Sequence, residues 1–221
     1  MLRYLEAEKL ELRAILATHH HPDHVGGIPR LLAQHGSVPV YGPADEPIAG
    51  MSYPLRDADR IELPELELAL EVIGIPGHTR AHVAYYGAGM LFCGDTLFAC
   101  GCGRLFEGTA EQMFHSLGKL TSLPDDTRVY CGHEYTLANI QFAKAVEPGN
   151  AALAEREQAD RRARESGLPT LPSTLGREKA TNPFLRCLEP PVIESANKYL
   201  GTRLADPVKV FAAIREWKNR F

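Results

Sequence analysis

A chain of 221 residues can bury a sizeable core, as one large domain or two modest ones. With 44% hydrophobic and 24% charged residues its make-up is that of a globular protein, and no apolar run approaches the ~20 residues of a membrane-spanning helix. The net charge of −4 conceals an asymmetry: residues 1–134 carry 10 Lys and Arg against 18 Asp and Glu, and residues 135–221 carry 14 against 10, a bias too weak to point to nucleic acid. No basic stretch followed by an apolar one opens the chain, so no export signal is expected. Five cysteines without regular spacing then fit free thiols in a reducing compartment, and a cytoplasmic location is expected.

In chain order, Leu2, Leu5, Leu10 and Leu12 among charged residues predict an amphipathic helix followed by a turn. Arg13 to Thr18 reads as a buried strand, Val25 to Gln34 as a helix ending near Gly36, and Ser37 to Tyr41 as a short strand. Gly42 to Asp59, with three prolines, has loop composition. Leu63, Leu66, Leu68, Leu70 and Val72 nearly alternate, which predicts a strand pair over 61–75 bent at Pro64. Residues 82–86 and 90–93 around Gly87-Ala88-Gly89 read as a hairpin. Thr109-Ala110-Glu111-Gln112 is a capping-box pattern opening a helix to about Leu120, and Arg128 to Cys131 is a short apolar strand. Beyond Tyr135 the patterns turn helical: 136–146, then 151–165 capped by Asn150, a Pro/Ser/Thr-rich loop over 169–183, then 191–200 and 207–219, the last opened by Asp206-Pro207. The expected division is an α/β domain over 1–135 and a small helical domain over 136–221.

The chemistry concentrates in Thr18-His19-His20-His21-Pro22-Asp23-His24, directly after the apolar run Ala14 to Ala17. These side chains are too close in sequence to share a face of a helix or strand. A tight turn at the mouth of a buried strand can instead aim His19, His21, Asp23 and His24 into one cleft. Imidazole and carboxylate together suit zinc, iron or manganese. Three more such residues follow strands: His78 in Pro76-Gly77-His78-Thr79, Asp95 in Cys93-Gly94-Asp95-Thr96, and His133 in Cys131-Gly132-His133-Glu134-Tyr135. Rigid strands supply the geometry and loops the openness. His20 is expected to point away, His82 to be either a supporting partner or a structural strand residue, and His35 and His115 to lie on helices or the surface. Cys100 and Cys102 read as small buried or loop residues.

H-x-H-x-D-H, followed in order by the His78, Asp95 and His133 motifs, resembles the signature of the metallo-β-lactamase superfamily. The resemblance implies an α/β four-layer αβ/βα sandwich with metals at one edge. It implies His19, His21 and His78 on one divalent cation, Asp23, His24 and His133 on a second, and Asp95 bridging. Zinc is the leading expectation, with iron or manganese also accepted by these donors. Asp23 and Asp95 are the expected catalytic carboxylates. Family members begin with several strands before the ligand loop, whereas eighteen residues precede His19 here, so the first strands are expected to be missing, through truncation or a misassigned start, leaving a sheet edge exposed.

Three further stretches resemble one branch, the bacterial glyoxalase II or hydroxyacylglutathione hydrolase family: Gly101-Cys102-Gly103-Arg104-Leu105-Phe106-Glu107-Gly108, the Cys131 to Thr136 motif, and Pro172-Ser173-Thr174-Leu175 with Thr181 to Arg186. This likeness implies hydrolysis of S-(2-hydroxyacyl)glutathione, typically S-D-lactoylglutathione, to glutathione and D-lactate, the second step of methylglyoxal detoxification. It implies that Arg104, Phe106, Tyr135, Arg215 and Lys218 bind the tripeptide, the last two sharing one helix face. Phe106 stands where some members have Tyr, so a hydroxyl contact is lost there. A small-molecule glutathione thioester is the expected partner of a monomer, without nucleic acid or membrane. The alternatives are a persulfide dioxygenase-like mononuclear iron enzyme and an inactive truncated scaffold.

Overall fold

The computed structural model describes residues 2–221. Helix α1 (Leu2–Ala7) precedes strand β1 (Ile15–Leu16), a short helix α2 (Pro22–Val25) and α3 (Ile28–His35). Strands β2 (Val40–Pro43), β3 (Tyr53–Leu55), β4 (Arg60–Leu63), β5 (Leu68–Gly74), β6 (Val83–Gly87) and β7 (Met90–Gly94) follow, then a small hairpin of β8 (Leu97–Phe98) and β9 (Gly101–Cys102). The remainder is α4 (Ala110–Thr121), β10 (Arg128–Cys131), α5 (Thr136–Val146), α6 (Ala151–Glu165), β11 (Ser173–Thr174), α7 (Leu175–Thr181), α8 (Pro190–Leu200) and α9 (Pro207–Arg220).

One sheet is parallel, in the order β1-β2-β3; the other has six strands in the order β11-β10-β7-β6-β5-β4. Side chains alternate between the faces of a strand, and the larger sheet uses both faces. Leu70, Val72, Val83 and Tyr85 point one way and meet Leu16, Tyr41 and Leu55 of the smaller sheet. Ile75, Ala84, Leu91 and Cys93 point the other way, into a core shared with Met113 and Leu117 of α4, Phe142 of α5 and Phe211 and Ile214 of α9. On the far side of the small sheet, Ile28 of α3 packs with Ala17, Val40 and Ile48. The layers are therefore helix, sheet, sheet, helices, the four-layer α/β sandwich that the ligand motifs implied.

Several local expectations need correction. The helix expected over 25–34 is two helices, because Gly26 and Gly27 separate a turn beginning at Pro22 from α3, which has Pro29 in its first turn. The 42–59 loop contains β3, paired in parallel with β2. The 169–183 loop contains β11 and α7; Thr174 caps α7 by accepting from the Arg177 N–H. The β8–β9 hairpin has no counterpart among the expected elements. The capping box at Thr109 is formed in full.

Candidate metal centre

Each candidate ligand sits just beyond the end of a β-strand. His19 and His21 leave β1, α2 lifts Asp23 and His24 over the same edge, and His78 lies between β5 and β6. Asp95 follows β7 and His133 follows β10, two adjacent parallel strands whose register brings Cys131 opposite Gly94. The close approach there needs glycine: a Cβ on Gly132 would stand 2.4 Å from Asp95 Oδ1, and Gly94 has φ +49° with Thr18 Oγ1 against its face.

The side chains converge as two triads. His21 Nδ1 lies 3.2 Å from His19 Nε2 and 3.1 Å from His78 Nε2. Asp23 Oδ2 lies 3.2 Å from His133 Nε2 and 3.6 Å from His24 Nε2. Asp95 faces both groups: Oδ1 is 3.3 Å from His24 Nε2, and Oδ2 is 3.5 Å from His133 Nε2 and 3.7 Å from His78 Nε2. His24 Nε2 and Asp95 Oδ1 are buried without a hydrogen-bond partner, although buried polar atoms are ordinarily satisfied. Lone pairs converging in this way fit a cation.

The second ring nitrogens are held by the protein. His78 Nδ1 donates to the Arg104 carbonyl at 2.9 Å, and His19 Nδ1 is 3.1 Å from Thr18 Oγ1, fixing which nitrogen each ring presents. Burial holds His19 and His78 neutral, with neighbouring imidazoles adding to the effect at His19. At His24 burial would lower the pKa, but the Asp95 and Asp23 carboxylates outweigh it and raise it.

Two residues support the ligand loops: His82, expected either as a supporting partner or as a structural strand residue, and Glu46, which lies outside the expected set. His82, fully buried and held neutral first by that burial, accepts the Asp95 backbone N–H through Nε2 at 3.2 Å and stacks on His19. Glu46, in the stretch read as a loop, accepts the His20 N–H at 2.6 Å and the Ala81 N–H at 3.2 Å, together with the Thr79 hydroxyl. His20 turns from the cluster towards Glu46 and Glu107. All five cysteines are free thiols, with Cys100 and Cys102 buried.

A cavity of about 860 Å³ opens over the centre, and Arg104, Phe106, Tyr135, Arg215 and Lys218 all line it. Phe106 and Tyr135 are 62% and 50% exposed at its walls. Phe106 meets the His21 and His78 rings edge-on, and Tyr135 stacks on His133. Arg215 is buried: its Nη1 donates to the Cys102 carbonyl at 2.7 Å and Nη2 to Asn219 Oδ1 at 3.1 Å, while Nε has no partner. Lys218 places its ammonium over the Phe142 and Phe221 rings, 3.5 Å from the Ala138 carbonyl; burial and the nearby Arg215 and Arg104 lower its pKa.

This fold and these His/Asp clusters define a metal-binding protein of metallo-β-lactamase architecture. Residues 1–133 match the metallo-beta-lactamase superfamily and residues 134–221 the hydroxyacylglutathione hydrolase C-terminus. A hydroxyacylglutathione hydrolase of Nitrosomonas europaea is 59% identical over 221 residues, all of this chain and 84% of the relative. One from Vibrio cholerae is 52% identical over the whole chain and 86% of its own length. The chain belongs to the hydroxyacylglutathione hydrolase family, the glyoxalase II enzymes. Among solved structures, ETHE1 from Myxococcus xanthus has the same fold, with a TM-score of 0.64 and 24% identity over 98% of this chain and 81% of that one. TTHA1623, solved in a di-iron-bound form, gives 0.58 and 28% over 83% of each chain. The helical C-terminal match and the curated relatives disfavour the dioxygenase and scaffold alternatives.

Proposed function

We propose that the chain hydrolyses the thioester of S-(2-hydroxyacyl)glutathione, S-D-lactoylglutathione being the typical substrate, to glutathione and D-lactate. The observation that carries this reading is Asp95 facing both triads at the floor of a cavity whose walls hold the glutathione-binding candidates. His19, His21 and His78 would hold one divalent cation, Asp23, His24 and His133 a second, with Asp95 shared and zinc favoured by the nitrogen-rich donors. Such a pair lowers the pKa of the water it binds towards about 7 and polarises the carbonyl it faces.

The chain's own residues supply the rest. Asp23 stands at the open side of the centre, 58% exposed, where its free oxygen can orient the attacking water. Arg104 and Lys218 bring positive charge to the wall that would face the tripeptide's carboxylates. Phe106 and Tyr135 line the same cavity beside the ligand histidines, where they can contact the glutathione moiety. Attack on the thioester carbon and rupture of the C–S bond release the thiolate, a good leaving group that takes up a proton as glutathione thiol.

The test is loss of thioester absorbance from S-D-lactoylglutathione, with Asp95→Ala in parallel. Wild-type hydrolysis, falling at least about 100-fold in the variant together with bound metal, is the expected result. Inactivity of the folded, metal-loaded wild type would sink the reading.

A further inference from the structure

We infer that Glu46 is a positioning residue for the first metal triad, fastening the two separate loops that carry His19, His21 and His78. The inference rests on the metal reading above. Glu46 lies in the turn after β2, and its side chain is only 2% exposed. Burying a carboxylate is unfavourable unless its lone pairs are met, and here they are met from two directions. Oε2 accepts the backbone N–H of His20 at 2.6 Å and sits 3.0 Å from His20 Nδ1. Oε1 accepts the Thr79 hydroxyl and the Ala81 N–H.

One carboxylate therefore grips the residue between His19 and His21 on one loop, and the first and third residues after His78 on the other. These loops are far apart in sequence, and their relative placement sets the gaps between His21 Nδ1 and the other two ring nitrogens, 3.2 and 3.1 Å. Glu107 adds a second fastening on the same side, accepting the Arg80 N–H at 3.0 Å and facing His20 Nε2 at 3.3 Å. Among the described residues, Glu46 belongs to none of the clusters able to hold an ion itself. Among the described residues no hydrogen bond or ion pair joins Asp23, His24 or His133 to it, so its effect should fall on one of two ions. Outer partners that orient ligands in this way typically contribute 10–100-fold in metal affinity.

The substitution Glu46→Gln keeps size and replaces one acceptor oxygen with a donor nitrogen, setting NH2 against the backbone N–H of His20 on one loop or of Ala81 on the other. Thr79→Val removes a single donor and leaves Glu46 in place. The experiment titrates apo wild type and both variants with Zn2+ against a competing chelator, and follows thermal unfolding of apo and loaded forms. Expected are two ions on the wild type, one of them bound 10–100-fold more weakly in Glu46→Gln, a smaller change in the same ion for Thr79→Val, and a reduced gain in melting temperature on zinc addition. The inference is overturned if Glu46→Gln binds both ions as tightly as wild type. It is equally overturned if both affinities fall in parallel with the apo melting temperature, which is the mark of a general folding defect. A folded wild type that binds no zinc would remove the metal reading, and this inference with it.

Discussion

Arg104 is bound to the centre through its backbone, since its carbonyl accepts from His78 Nδ1, while its side chain lines the cavity. Among the described residues no carboxylate pairs with its guanidinium, which leaves that charge for a ligand. A hydrogen bond to a charged group contributes about 1.5–3 kcal/mol, so Arg104→Ala should raise KM for S-D-lactoylglutathione roughly 10- to 100-fold with kcat little changed, as loss of uniform binding does. Steady-state kinetics decide it; a fall in kcat at constant KM would refute it. Individual ligand candidates were legible because each lies in a short motif whose members are neighbours in sequence. Glu46 was not, because what it touches is remote: it meets His20 26 residues away and Ala81 35 residues away, and His82 stayed open between two roles because the N–H it accepts, that of Asp95, is 13 residues away. A lone Glu in a Pro-rich stretch carries no local sign of burial.

At the level of elements, the β8–β9 hairpin is held from outside by the C-terminal helices and the loop after α7. Asn182 donates to the Phe98 and Gly101 carbonyls, Asn139 to Ala99, and Arg215 to Cys102, while Glu178 accepts the Cys100 N–H. These bonds explain why two-residue strands persist, and why periodicity missed them: strands this short carry no alternation to read. The long β5–β7 meander and the capped α4, α6 and α9 were legible for the opposite reason. Asn182→Ala should strand two buried carbonyls, at about 1–3 kcal/mol each, lowering the melting temperature by several degrees and raising KM, because the freed segment leads into Arg104. An unchanged melting temperature would show that the hairpin holds itself. Between α5 and α6, Lys144 and Arg161 pull the Glu157 carboxyl down to about 2. The stabilisation this gives is complete above the unfolded value of about 4.3 and is lost as pH falls from there through the folded value. Denaturant titrations of metal-free wild type and Glu157→Gln should differ at neutral pH and converge in strong acid; a gap that persists below pH ~2 would refute the assignment.

For the molecule as a whole, the centre joins β1, the β5–β6 and β7–β8 connections and the β10–α5 connection, so a bound ion ties both sheets together. A bound cation at a hundredfold excess over its Kd should add about 2.7 kcal/mol to stability, and a chelator should lower the melting temperature accordingly; scanning calorimetry with and without chelator measures it. The expected boundary at 135/136 falls between β10 and α5, yet β11, from beyond it, pairs antiparallel with β10 and completes the large sheet. We propose that this boundary separates roles and does not separate folding units. The pairing also bears on how the chain is made. While a ribosome has delivered only the first 135 residues, the backbone of Arg128–Cys131 has an open flank, ready to pair with another nascent chain. That flank closes only when Ser173 and Thr174 have emerged, so shortened gene products should precipitate where the full chain does not, and slowing synthesis between these points should lower the yield of native protein.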